Sequence, residues 1–338
     1  MRAGEQRPVQ AAVAEVHETA FPLVTIGMPT YNRARSLRRA AESALAQDYP
    51  SVEIVISDNG STDETAAVCA ELAARDPRVR VIRHAANRGV TENFVEVRRQ
   101  ARGELFMWLS DDDWIDPGYV RVCVGTLLGS PGHALVGGAV HYHKDGVFHH
   151  AAPPTRLLDA SPVARVTSYL REVEDNGIFH GVGRTDVIRR QPFHHMLGAD
   201  WLIVASMANA GTVTTIGEVA IHRSMAGGSW SPEGVMALYG LSARQAQNPY
   251  GALLRTMLVD VLWRSRAWQS PRLMGRLFMA VYACITVWKI RYAPLQRRIR
   301  AARRFEQRSA LRHQVGRLPF LLHILQGLRR LLAVRDRG

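Results

Sequence analysis

Three consecutive carboxylates, Asp111, Asp112 and Asp113, follow the apolar run 105–109 in the stretch ELFMWLSDDDWIDP. A buried strand has no use for adjacent charges, because an isolated buried carboxylate is costly unless it is paired or bound to a cation. The run therefore predicts a strand that ends at Ser110 and presents its acids at the carboxyl edge of a sheet, where open α/β folds bind ligands. Clustered hard oxygen ligands suit Mg²⁺ or Mn²⁺, and such a cation suits the phosphates of a nucleotide. The competing expectation is a helix cap, with Asp112 or Asp113 closing the N-terminus of the helix that Pro117 would open. One Asp would suffice for that.

The elements that must position these acids alternate at short spacing. Residues 23–28 (LVTIGM) read as a strand ended by Pro29, and the helical spacing of Leu37, Ala40, Ala41, Ala44 and Leu45 follows it. Residues 52–56 (VEIVI) read as a second strand running into Ser57-Asp58-Asn59-Gly60, with Ser61 or Thr62 capping the next helix. A third strand at 79–83, a turn at Asn87-Arg88-Gly89, a helix over 91–102 and the acid-bearing strand complete the series. This alternation predicts an α/β fold with a doubly wound, mostly parallel sheet and helices on both faces. No GxGxxG follows the first strand and no GxxxxGK[ST] occurs, which disfavours a dinucleotide site and a P-loop. Beyond Tyr119 the texture changes to short strands and helices. Residues 134–143 and 147–150 form a hairpin turning at Lys144-Asp145-Gly146, and the second half extends the same sheet to complete a cleft. The expected organisation is a loose leader over 1–20, one domain over 21–247 in halves 21–120 and 121–247, and a basic helical region over 248–338.

Of the 338 residues 47% are hydrophobic, which excludes a largely disordered chain. Cys69, Cys123 and Cys284 are far apart and form no CxxC pair, which points to a reducing compartment and away from disulfides or zinc. The first 20 residues lack the apolar core of a secretory signal, so a cytoplasmic location is expected. The net charge of +13 is unevenly spread: residues 251–338 hold 19 Lys+Arg against 3 Asp+Glu, so the rest of the chain is slightly acidic. Such asymmetry suggests a surface-binding appendage. Residues 318–332 place six leucines on one stripe with Arg329 and Arg330 off it, a pattern that suits the surface of an anionic membrane. An ordinary bundle with solvated charges is the alternative. The apolar run 277–288 is too short to span a bilayer, which takes about 20 residues. Nucleic acid is disfavoured, since aromatic residues are sparse among the arginines of 297–312.

MPTYNR after the first strand, SDNGSTDET after the second, NRG before the third helix and LSDDDW after the fourth strand resemble glycosyltransferase family 2, inverting transferases of the GT-A fold. The resemblance covers 23–120 closely and 175–230 loosely, and does not reach the basic tail. It implies a nucleotide-diphosphate sugar donor of UDP, dTDP or GDP type, Mg²⁺ or Mn²⁺, and a single displacement. Pro29, Tyr31 and Asn32 would then hold the nucleotide base, with Tyr31 placed to stack on it. Asp58 would bond the base or ribose, unless it serves an Asx-turn. Asp63 would touch the base or charge a helix start. Asn87 and Gly89 would approach the donor, although a plain turn also accounts for them. Family members commonly read Asp-x-Asp-Asp, whereas Ser110 holds the first position here. Asp112 aligns with the second acid and is the first choice for the metal; Asp113 and Asp111 follow, Asp111 on the nucleotide side. Asp200, in LGADWLIVASMANAG, resembles the general base that opens a helix below the acceptor, with a cap as the alternative and Asp186 as the rival base. Arg223 would pair with phosphate and His222 with metal or phosphate, or the two are a sheet-edge pair without a ligand. His180, Gly181 and Arg184 resemble a loop flanking the sugar. The histidines at 141, 143, 149 and 150 fit an outward-facing hairpin better than a zinc site. Two other functions stay open: a nucleotidyltransferase of similar fold, and a non-catalytic nucleotide-sugar-binding protein with a degenerate site.

Overall fold

β-Branched and apolar residues in short runs build a mixed, mostly parallel sheet. The computed structural model describes residues 21–173, 176–226, 234, 239–241, 249–264, 266–268 and 273–289. The strands β1 (Val24–Thr30), β2 (Val52–Asp58), β3 (Val79–Arg83) and β4 (Leu105–Trp108) alternate with helices α1 (Ala34–Leu45), α2 (Thr65–Arg75) and α3 (Val90–Gln100). They pair in parallel in the order β3-β2-β1-β4. Every residue of β1 and β2 is buried, as a strand covered by helices on both faces must be. On one face Leu37, Ala40, Ala41 and Ala44 of α1 pack with Ile26, Met28, Ile54 and Ile56. On the other an aromatic cluster fills the space: Trp108 stacks on Phe179 at 4.6 Å, and Phe94 meets Phe193 at 5.5 Å.

The second half continues the sheet, as the sequence predicts. After the two-residue β5 (Trp114–Ile115) come α4 (Tyr119–Gly129), β6 (His133–Lys144), β7 (Val147–Ala151), β8 (Arg156–Leu157), α5 (Pro162–Glu172), a single turn of 3₁₀ helix (Gly177–His180), β9 (Val182–Arg184), α6 (Thr185–Arg190), α7 (Ala199–Ala210) and β10 (Thr212–Ser224). β9 runs antiparallel between β4 and β6, and β10 lies parallel to β6. The β6–β7 hairpin turns through Asp145 (φ 52°) and Gly146 (φ 82°), the left-handed pair that a tight two-residue hairpin requires.

The chain divides into two compact units, Met1–Cys284 and Ile285–Gly338. The boundary expected after residue 247 therefore falls inside the first unit. Helix α8 (Pro249–Val259) and the π-helical turn Asp260–Arg264 belong to it because buried Asp260 accepts from Gln191 at 2.8 Å and from His194 at 2.6 Å. Asn209 likewise donates to the Ala267 carbonyl at 2.9 Å, and Trp268 to Gln191 at 2.9 Å. A last helix, α9, spans Leu273–Val287. Among the described residues no helix is long and apolar enough to cross a membrane. The leader 1–20 and the leucine stripe 318–332 lie outside the described residues. All three cysteines are free thiols, and burial pushes Cys69 up to about 12.

β6 and β10 approach too closely at Gly138 for any side chain: a Cβ there would lie 2.5 Å from the Val219 carbonyl oxygen and 2.6 Å from the Tyr119 ring. Gly138→Ala is expected to destabilise the protein by about 1–3 kcal/mol through overpacking, read as a lower urea midpoint at unchanged slope.

Candidate active site

The carboxyl ends of β1, β2 and β4 meet at one rim, and their loops are laced together by side chains. β1 runs one residue past Pro29, whose missing N–H points toward β4 beyond the last β1–β4 pair, Gly27 with Trp108. Asn32 follows with φ 52°, its N–H donating to Ser61 Oγ at 2.9 Å and its Oδ1 accepting from the Thr62 N–H at 2.8 Å. Tyr31 beside it is 39% exposed, so its ring is available as a stacking surface. Asp63 accepts from the Thr65 and Ala34 N–H groups at 2.9 and 3.4 Å, which assigns it to the starts of two helices. Neither Ser61 nor Thr62 caps α2.

Asp58 is fully buried at the end of β2. Its Oδ1 accepts from the Ser61 N–H at 2.9 Å, three residues on where an Asx-turn would reach two, while Oδ2 has no hydrogen bond and faces the Arg83 Nε at 3.4 Å. A single carboxylate thus holds its own loop and keeps one oxygen for something else. Asn87 and Gly89 are held at the surface by Asn59, which donates to Asn87 Oδ1 at 2.9 Å and to the Gly89 carbonyl at 3.2 Å, and Gly89 starts α3 at φ 89°. Asn93, which no sequence pattern singles out, clamps the ends of β1 and β2 by donating to the Thr30 and Ser57 carbonyls at 3.1 and 3.0 Å.

The three acids after β4 have three different environments. Neither Asp112 nor Asp113 caps a helix, since α4 starts after Gly118 without a side-chain cap. Asp113 is buried and satisfied: its Oδ2 accepts from Arg223 Nε at 3.1 Å and its Oδ1 from the Ser224 N–H at 3.0 Å. Both oxygens of Asp113, expected among the metal ligands, hold β10 to the turn. The Oδ2 contact places Arg223 in an ion pair with Asp113, and not on phosphate alone; Arg223 Nη1 reaches Tyr142 Oη at 3.3 Å. Asp111 accepts from Thr30 Oγ1 at 2.8 Å, and burial followed by repulsion from Asp112 lifts its carboxyl to about 7. Asp112 is lifted to about 6 by burial and the neighbouring Asp113 charge, against an Arg33 guanidinium at 3.4 Å.

His222 lies on β10 beside β5. Its Nε2 donates to Asp116 at 2.9 Å, and its Nδ1 meets His143 Nε2 at 3.0 Å, so both ring nitrogens are engaged by protein. The ring stacks on Trp114 at 5.1 Å, and Arg39 covers the Trp114 ring at 3.9 Å. His149 pairs with His150 at 2.7 Å on the exposed hairpin. Among the described residues no three His, Cys, Asp or Glu side chains are placed to hold a metal by themselves. Asp111 and Asp112 nonetheless fit a divalent cation. Each is raised by burial and by the charge of the adjacent acid, and Mg²⁺ characteristically takes one or two carboxylates and completes its shell with substrate phosphates and water.

Asp200 lies in the first turn of α7, whose N-cap is Gly198, and the N–H groups of Asp200 and Trp201 favour its ionised form. Burial raises its carboxyl pKa, against the Asn176 amide that donates to Oδ2 at 2.7 Å and the more distant Arg223 charge. Its rival Asp186 sits exposed in an ion pair with Arg190. His180 is buried with Nδ1 donating to the Trp108 carbonyl at 3.0 Å; burial and Arg223 push it down to about 3, so it is neutral.

The Glycosyl transferase family 2 profile matches residues 25–197. A chondroitin synthase of Escherichia coli is 38% identical over 103 residues, covering 30% of this chain and 15% of that protein. A hyaluronan synthase of Pasteurella multocida is 33% identical over 116 residues, covering 34% of this chain and 12% of its own length. The chain therefore spans only a small part of these curated relatives. The crystal structure of S. aureus TarS 1-349 in complex with UDP-GlcNAc superposes with a TM-score of 0.58 at 14% identity, over 79% of this chain and 73% of that one, a likeness of fold.

The Asp111 carboxyl near 7 makes a signed prediction about stability. An unfolded Asp titrates at about 3.9, so between that value and 7 the folded protein holds a proton that the unfolded chain has lost. Metal-free stability should fall as pH rises through this window. Asp111→Asn removes the penalty, and its urea midpoint should exceed that of the unmodified protein more at pH 8 than at pH 4.

Proposed function

Since the chain belongs to glycosyl transferase family 2, we propose that it moves a sugar from a nucleotide-diphosphate donor to an acceptor hydroxyl, with inversion, by a single metal-dependent displacement. The observation that carries this reading is the pair Asp111 and Asp112, raised to about 7 and 6 at the rim where β1, β2 and β4 end. A divalent ion held there would offset the negative charge that develops on the departing diphosphate. The chain's own groups do the rest. Asp58 Oδ2 accepts from the base imide or a ribose hydroxyl, and Tyr31 offers its exposed ring to the base. Arg33, now on Asp112, stands where it can turn to phosphate. Asp200 takes the proton of the acceptor hydroxyl, and its raised pKa makes it a stronger base than an exposed Asp. UDP-GlcNAc, the ligand of the TarS complex, is the first donor to test. The acceptor is proposed to lie near a membrane surface, drawn by the 19 basic residues of 251–338.

Thermal unfolding with UDP, GDP or dTDP, each with and without Mn²⁺, should show Mn²⁺-dependent stabilisation by one nucleotide. Asp112→Ala should abolish the Mn²⁺-dependent gain. Asp200→Ala should keep it while losing on the order of 10²-fold or more in turnover. Full activity in both variants would overturn the assignment. Replacing Arg297, Arg298, Arg300, Arg303 and Arg304 by Gln should weaken sedimentation with phosphatidylglycerol vesicles, and equal sedimentation would remove the membrane contact.

A further inference from the structure

Asn176 is absent from every motif that the sequence displays, yet it touches the proposed base directly. Its Nδ2 donates to Asp200 Oδ2 at 2.7 Å, and its Oδ1 accepts from Tyr169 Oη at 2.6 Å. With Asp200 ionised, the two contacts fix the orientation of the amide. A carboxylate only accepts, so the NH₂ end must face Asp200; the carbonyl end then faces Tyr169, whose hydroxyl must donate. Tyr169 is itself buried on α5, 3% exposed, and cannot swing away. Asn176 also opens the 3₁₀ turn Gly177–His180, its carbonyl accepting from the Phe179 N–H at 3.0 Å. At the far end of that turn His180 is bonded to Trp108, with its Nε2 3.9 Å from Asp113. One turn of chain therefore connects the group that holds Asp200 to the acidic turn after β4.

We propose that Asn176, oriented by Tyr169, is a positioning residue that tethers the Asp200 carboxylate for proton transfer from the acceptor, an inference that rests on Asp200 being the base. Among the described residues the groups facing Asp200 are the Asn176 amide, the N–H groups of Asp200 and Trp201, the Tyr169 and Tyr239 hydroxyls and, farther off, the Arg223 guanidinium. Burial opposes ionisation of the carboxyl; the amide and Arg223 favour it. Removing the amide donor raises the carboxyl pKa, so the acidic limb of the pH–rate profile moves to higher pH. A residue that merely filled space would lower activity without moving that limb.

The experiment compares the full-length protein with Asn176→Ala, Tyr169→Phe and Asp200→Asn. It follows UDP release from UDP-GlcNAc against pH and the titration of Asp200 by its ¹³Cγ resonance, identified by its loss in Asp200→Asn. In Asn176→Ala both the acidic limb and the ¹³Cγ midpoint should rise by about one pH unit, with a smaller rise in Tyr169→Phe and unchanged stabilisation by UDP. An unmoved midpoint in folded Asn176→Ala overturns the proposal, as does an unmoved midpoint in Tyr169→Phe if the alanine variant does not fold. Turnover retained in Asp200→Asn defeats the base assignment itself, and the ¹³Cγ titration then shows separately whether the tether exists.

Discussion

One turn of chain carries three adjacent carboxylates, and the protein supplies a well-placed cation to only one of them. Asp113 is closed off by Arg223 and Ser224 in a buried pair. Removing either member of such a pair leaves an uncompensated buried charge, a loss of about 3–5 kcal/mol, so the pair acts as the rivet between the β4 turn and the end of β10. Beyond that pair, Asp112 has the half-exposed Arg33 guanidinium at 3.4 Å and the Arg223 charge farther off, and Asp111 has the Arg33 charge. Burial above all, and then repulsion from the adjacent acid, raises both carboxyls.

The parallel half of the sheet and its acidic rim were legible in the sequence because their signals are local. Buried strands read as apolar runs, and an acid directly after such a run has few places to go. Asp58 shows how one carboxylate can be divided: one oxygen holds its own loop and the other stays without a hydrogen bond. What could not be read depends on distant partners. Asp113 and Arg223 are 110 residues apart, and His222 and Asp116 are 106 apart. No spacing rule predicts that Asp113 is consumed structurally while its two neighbours are not. The three-residue β9 and the two-residue β5 are too short for any periodicity to show. Asn93 and Asn176 look like ordinary polar residues until the fold brings a carbonyl or a carboxylate to them.

The same asparagine chemistry recurs around the cleft for one reason. A side-chain amide can bond backbone groups through its donor end or its acceptor end, so it joins two segments without introducing charge. Asn32 ties the first loop to the second, Asn59 ties the second to the start of α3, and Asn93 ties β1 to β2. Charged ties at these places would compete with the acids for cations. Neutral ones hold the loops while leaving the local potential to Asp58, Asp111 and Asp112.

Arg223 carries the argument from one side of the cleft to the other. Its charge stabilises the ionised forms of Asp113, Asp112 and, more weakly, Asp200, and it suppresses protonation of His180. With His180 neutral, its Nδ1–H is committed to the Trp108 carbonyl, which fixes the 3₁₀ turn against β4. That turn begins at Asn176, the residue bonded to Asp200. The acidic rim and the buried carboxylate of α7 are therefore coupled twice, through one guanidinium and through one turn of backbone. A cation held at Asp111 and Asp112 would add to the Arg223 field in stabilising charge on the carboxylates, which would link the electrostatics of the proposed donor side to those of the proposed base.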